Sequence, residues 1–161
     1  MKQKITLRKA TESDLDAINQ VIIAAVMSWQ LPDRVKRLSL SSYYYDVADL
    51  MHLTLWLAQD KKNKAVGVAG WEPADPTDLP KNRNGLLLHG LYVLPGMHGH
   101  GLGKRLLKLM EQQAAERRYD GVMVKAQADA INFFLHHGYE DLPVEDKVRH
   151  YSHRMWKNIK Q

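Results

Sequence analysis

From Lys4 to Lys9 (KITLRK) apolar and polar residues alternate, the period-two pattern of a half-buried strand. Thr11 and Asp14 follow in the Ser/Thr-x-x-Asp/Glu spacing that opens a helix. The pattern then changes period: Leu15, Ile18, Val21, Ile22, Ala25 and Val26 recur three and four apart and lay one apolar stripe along a helix. Pro32 ends that pattern, and residues 33 to 50, with Tyr43, Tyr44 and Tyr45 in a row, read as a less regular helix or loop. LTLWLAQ (53 to 59) and AVGVAGWE (65 to 72) are apolar runs joined by the polar DKKNK, which predicts an antiparallel pair. Residues 73 to 85, with three prolines, predict an exposed loop, and LLLHGLYV (86 to 93) a central strand. From Leu102 onward Leu106, Leu109, Met110 and Ala114 return at helical spacing beside Lys104, Arg105 and Lys108. GVMVKA (121 to 126) predicts a buried strand, DAINFFLHH a helix stopped by Gly138, and VRHYSHRMW (148 to 156) a final strand.

The chain has 161 residues, 45% of them hydrophobic, the size of one ordinary domain, so residues 1–161 are expected to form a single unit. It has no cysteine, which excludes disulfides, thiolate-bound zinc and a cysteine nucleophile. No apolar run reaches the roughly 20 residues needed to span a bilayer, and the first residues have no signal-peptide core, so a cytoplasmic protein without a membrane partner is expected. The formal net charge of +5 suits an anionic partner. Its basic residues are scattered, without the run that marks a nucleic-acid tail, so no nucleic-acid partner is expected.

The informative stretch is LYVLPGMHGHGLGKRLL, residues 91 to 107, which sets Gly99, Gly101 and Gly103 between a strand and a helix start. Glycines let successive amides turn toward an anion and let it come close. The helix start adds partial positive charge, and Lys104 a cation, so the turn reads as a phosphate site. Counting excludes two better-known loops. A Walker A loop needs Gly where His98 stands and Ser or Thr where Arg105 stands, and no frame of the three glycines gives the dinucleotide GxGxxG. A basic nucleic-acid module would explain the charge but not the glycine spacing.

Val93, Pro95, Gly101 and Gly103 fit V-x-P followed by Gln/Arg-x-x-Gly-x-Gly/Ala, and here the chain resembles motif A of the GNAT superfamily of N-acetyltransferases. Ala130, Phe133, Gly138 and Tyr139, in AQADAINFFLHHGYE, resemble the family's second motif. The resemblance implies an α/β (α+β) fold: a mixed, largely antiparallel sheet of six to seven strands flanked by about four helices, splayed between the motif-A strand and the next. It implies acetyl-CoA as co-substrate, with the pantetheine arm along Leu91, Tyr92 and Val93 and the pyrophosphate on His98, Gly99, His100, Gly101, Leu102, Gly103 and Lys104. Gln127 and Phe134 are the second motif's expected cofactor contacts. The N–H of Val93 would polarise the thioester carbonyl, as in an oxyanion hole. The implied acceptor is a small-molecule or peptide amine, and homodimers are common in the family.

Two departures bear on chemistry. His98 stands where the family usually has Gln or Arg, and Phe134 where it commonly has a Tyr that protonates the departing thiolate. At pH 7 that protonation is favourable by only about 2 kcal/mol, whereas a positioned acid is worth roughly 10²- to 10⁴-fold in rate. Tyr139 or a water is left as substitute, and a non-catalytic acyl-CoA-binding module is the competing reading. For the base that deprotonates the amine, His89 and Glu72 are the candidates; His89 lies four residues before Val93, on the same strand face by alternation, and imidazoles titrate near neutrality. Trp29, Tyr43, Tyr44, Tyr45 and Trp71 are candidates for the acceptor pocket. His98 with His100, and His136 with His137, lack a third ligand at metal-site spacing, so no metal is expected.

Overall fold

A computed structural model describes residues 4–148 and 153–159. Among them are seven strands and five α-helices: β1 (Thr6–Lys9), α1 (Leu15–Met27), α2 (Asp33–Tyr43), α3 (Val47–His52), β2 (Thr54–Gln59), β3 (Ala65–Pro73), β4 (Gly85–Val93), α4 (Leu102–Glu116), β5 (Gly121–Lys125), α5 (Ile131–His136), β6 (Glu140–Asp141) and β7 (Arg154–Asn158). The strands form one sheet in the order β1-β2-β3-β4-β5-β7-β6. Three of the pairings, β1 with β2, β5 with β7 and β6 with β7, are antiparallel, and β4 runs parallel to β5. The fold class is the mixed, largely antiparallel α/β arrangement expected.

The chain divides into two compact units. The first comprises residues up to Gly70 together with Gly90–Leu107. Its core contains the buried stripe of α1, Leu15, Ile18, Val21, Ile22, Ala25 and Val26, packed with Leu55, Leu57, Val68, Tyr45 and Tyr92. The Thr11–Asp14 box opens a short 3-10 turn, Glu12–Asp14, that leads into α1, with the Thr11 N–H donating to the Asp14 carboxylate at 2.8 Å. That carboxylate also takes both ends of the Arg8 guanidinium, at 2.9 and 2.7 Å. Its pKa is held down to about 2, first by the Arg8 hydrogen bonds. Because the folded pKa is depressed, the pair stabilises above the ordinary value of 3.8 and its contribution is lost as pH falls toward 2. With the Arg8 side chain 40% exposed, solvent screens the pair. Asp14→Asn is expected to cost about 1 kcal/mol in urea unfolding at pH 7, a difference that closes near pH 2.

Where a less regular helix or loop was expected after Pro32, there are two helices, α2 and α3. The chain is extended at Tyr44 (φ −66°, ψ 147°) and restarts at an Asp46–Asp49 capping box. That break sorts the three tyrosines: Tyr43 and Tyr45 pack into the first unit's core, and Tyr44 is exposed.

The second unit is Trp71–His89 with the residues from Lys108 onward. Two expectations are corrected here. The segment between β3 and β4 is not simply an exposed loop: Asp78 and Leu79 are buried. Leu79 packs with Met123 and Trp156, and the Asp78 carbonyl accepts from the buried Arg154 guanidinium. The last strand starts at Arg154 rather than Val148 and runs on to Asn158; positions 149–152 of the expected strand lie outside the described residues. In this unit the parallel β4–β5 ladder runs from Gly85–Gly121 to Leu88–Val124 and stops. β4 itself continues to Val93, past its last residue paired with β5, which ends at Lys125.

Candidate active site

The end of β4 is held to β3 by Leu94 N–H donating to the Val66 carbonyl at 3.0 Å. Backbone amides alternate between the two edges of a strand, so with Leu94 turned toward β3 the N–H of Val93 is turned to the other edge. The β4–β5 ladder has already ended at Leu88, which leaves that edge of β4 for an extended ligand to pair with. The side chain of Tyr92 is buried in the first unit's core. Burial, and then the nearby Tyr43, raise its hydroxyl's pKa above the ordinary phenolic range.

Between Ala74 N–H to the Gly85 carbonyl at one end of this strand pair and Leu94 N–H to the Val66 carbonyl at the other, β3 advances eight residues (66 to 74) and β4 nine (85 to 94). The extra residue on β4 marks a bulge, a device that bends a strand and re-aims its groups.

After β4 a 3-10 turn, Pro95–Met97, leads into the glycine-rich segment. Gly99 (φ 82°) and Gly101 (φ 73°) both adopt the left-handed conformation, and a Cβ built on either meets nothing within 4 Å. Both glycines are therefore required by backbone conformation, not by crowding within the chain, and the space above them is open. The first intrahelical bond of α4 is Arg105 N–H to Gly101 at 3.0 Å, so the amides of Leu102, Gly103 and Lys104 precede the helical ladder. Successive left-handed glycines and a fifteen-residue helix start make a nest of donors that fits a pyrophosphate. His98, His100 and Lys104 are exposed around it, while the Leu102 side chain is buried and packs over Gly67, anchoring the turn to β3. Leu91, Val93 and residues 98 to 104 all belong to the first unit.

The remaining predicted residues belong to the second unit. His89, exposed, lies on β4, and Glu72, half-buried, near the end of β3. Gln127 is exposed at the start of a 3-10 turn that leads into α5. Phe134 is buried on α5, edge-on to Phe133 and to Tyr139 at centroid distances of 5.2 and 5.5 Å. Tyr139 is not poised as a substitute acid. Its hydroxyl donates to Glu111 at 2.9 Å, and Glu111 is paired with Lys157 at 2.9 Å. Burial first, and then Glu111, push its pKa far above the phenolic range. Tyr139→Phe is accordingly expected to cost about 1–2 kcal/mol in thermal unfolding, by removing a bond to a charged acceptor, with turnover per folded molecule unchanged.

Among the described residues no three His, Asp or Glu side chains are grouped as a metal site, and no helix is long and apolar enough to cross a membrane.

Residues 23–139 match the model of the Acetyltransferase (GNAT) family. The chain belongs to the GNAT acetyltransferase family. Solved GNAT structures share its fold. A GNAT N-acetyltransferase from Rhodopseudomonas palustris is 20% identical, with a TM-score of 0.74 and 98% of each chain covered. The PaiA N-acetyltransferase from Thermoplasma acidophilum, solved with coenzyme A, is 15% identical, with a TM-score of 0.73 over 96% of this chain and 99% of that one. A GNAT acetyltransferase from Brucella melitensis, solved with acetyl-CoA, is 15% identical, with a TM-score of 0.67 over 99% and 90%. No curated protein matches the sequence. The matched span of the GNAT model includes the β4 edge, the glycine turn and α5.

Proposed function

We propose that residues 1–161 work as one acyltransferase domain that moves the acetyl group of acetyl-CoA to a primary amine by direct attack. The observation that carries this reading is the pairing of an unladdered β4 edge with the left-handed Gly99–Gly101 turn at the start of α4. Acetyl-CoA supplies the activated acetyl group. Leu91 and Val93 offer backbone pairing to its extended arm, and the amides from Gly99 to Lys104 take the pyrophosphate, with Lys104 adding charge. The Val93 N–H donates to the carbonyl oxygen as it gains charge, an interaction stronger in the transition state than in the ground state. His89 takes the proton that the ammonium must lose before its nitrogen can attack, and Glu72 is the alternative base. As the C–N bond forms and the C–S bond breaks, water protonates the leaving sulfur, since Phe134 has no proton to give and Tyr139 is committed to Glu111.

That Phe134 has no proton to give favours the second reading, an acyl-CoA-binding module without turnover. The two separate on release of free thiol from acetyl-CoA with a panel of primary amines. The protein has no cysteine, so a thiol reagent reads coenzyme A alone. Amine-dependent release is expected; tight binding of coenzyme A with no release on any amine supports the second reading.

A further inference from the structure

Tyr45 occupies an unusual seat in the first unit. Its ring is 3% exposed, in the core beneath α1. Its hydroxyl reaches two glycines on neighbouring strands: a Cβ on Gly90 of β4 would stand 2.5 Å from it and 2.6 Å from the Tyr92 ring, and one on Gly70 of β3 would stand 3.2 Å from it, with Leu55 nearer at 2.6 Å. Glycine weakens a strand interior, and its use at both positions marks a close approach that any side chain would block. The approach is fixed from the far side by Asn19 of α1. Its side-chain amide donates to the Tyr45 carbonyl at 2.9 Å and accepts from the Tyr45 N–H at 2.9 Å, pairing with that residue as a neighbouring strand would. A turn of the Asn19 side chain would break both bonds together, so the clamp sets the height of the ring over the sheet.

Gly90 immediately precedes Leu91–Val93 and lies just past the last β4–β5 pair, on the strand that carries the extra residue. We infer that Tyr45, held by Asn19, is a positioning residue for the reaction: its phenol wedges β4 at Gly90 and so fixes the aim of the Val93 amide. The inference rests on the acyl-transfer reading above. The wedge acts on the backbone of β4, not on the acceptor. A donor that must lie about 3 Å from a developing oxyanion is sensitive to shifts well under an ångström, and a misplacement of about 1 Å can cost on the order of 10²-fold in rate. The glycine turn that takes the pyrophosphate lies farther along the chain and does not depend on the wedge.

The test compares wild type, Tyr45→Phe and Asn19→Ala for kcat on the best amine, for the Kd of coenzyme A by calorimetry, and for Tm. Tyr45→Phe keeps the ring in the core and removes the hydroxyl that stands at Gly90. It is expected to lower kcat about tenfold with Kd within error of wild type, whatever the change in Tm. Asn19→Ala is expected to lower kcat at least as much, with a reduced Tm and unchanged Kd. A merely structural tyrosine would instead give kcat unchanged in Tyr45→Phe, or kcat, Kd and Tm falling together, and either result overturns the inference. Wild type that releases no thiol with any amine refutes the acyl-transfer reading and this inference with it; active wild type with an equally active Tyr45→Phe refutes the inference alone.

Discussion

Gly101→Ala is expected to weaken coenzyme A binding by about 10- to 100-fold while the protein stays folded. At φ 73° an alanine pays about 1–2 kcal/mol of backbone strain that glycine does not. Nothing in the chain lies within 4 Å of the new methyl, so no collision inside the fold adds to that. The methyl instead enters the open space over the turn, where the pyrophosphate is proposed to approach the backbone, and the strain turns the amides of residues 101 to 103 away from it. The loss in affinity, about 1.4–2.8 kcal/mol, therefore matches or exceeds the loss in stability. Calorimetric titration with coenzyme A beside a urea melt measures both. A variant that binds as tightly as wild type would show that the turn's conformation serves only the fold.

His89→Ala has the largest expected effect on chemistry, a fall in kcat of roughly 10²- to 10⁴-fold at neutral pH with coenzyme A affinity retained. The pH dependence separates a base from a packing residue. An alkylamine is almost wholly protonated at pH 7, and its reactive fraction rises about tenfold per pH unit until its own pKa near 10. As the solution supplies more free amine the base matters less, so the deficit should narrow steadily from pH 7 to pH 9.5. A deficit constant across that range would assign His89 a structural part and turn attention to Glu72→Gln.

The parts of the fold legible in the sequence are those in which one element carries its own pattern. The stripe of α1 predicts its six buried residues one for one, because a helix that buries one face must repeat near every 3.6 residues. The turn from Gly99 to Lys104 was legible because left-handed backbone needs glycine, and glycine is visible. What escaped depends on contacts distant in the chain. Nothing local distinguishes Leu79 from a loop residue; it is buried because Met123 and Trp156 form a wall for it and Arg154 holds the neighbouring Asp78 carbonyl. The same holds for the last strand, whose start at Arg154 is set by pairing with Lys125. Tyr139, within the second motif, reads alongside a water as a stand-in acid, and only Glu111, 28 residues earlier, shows that its proton is engaged. Asn19 reads as an ordinary residue on the polar side of α1, since its role exists only once Tyr45 is brought against it. Its traces in the sequence are Gly70 and Gly90, inside the third and fourth strands.

The most direct test of the account is a backbone amide NMR titration of the labelled protein with coenzyme A. The account predicts that the largest shifts fall on two groups, Leu91 and Val93 at the β4 edge and residues 99 to 104 in the turn, and that both saturate with a single Kd. Saturable shifts centred elsewhere, or no shifts at millimolar coenzyme A, would contradict it.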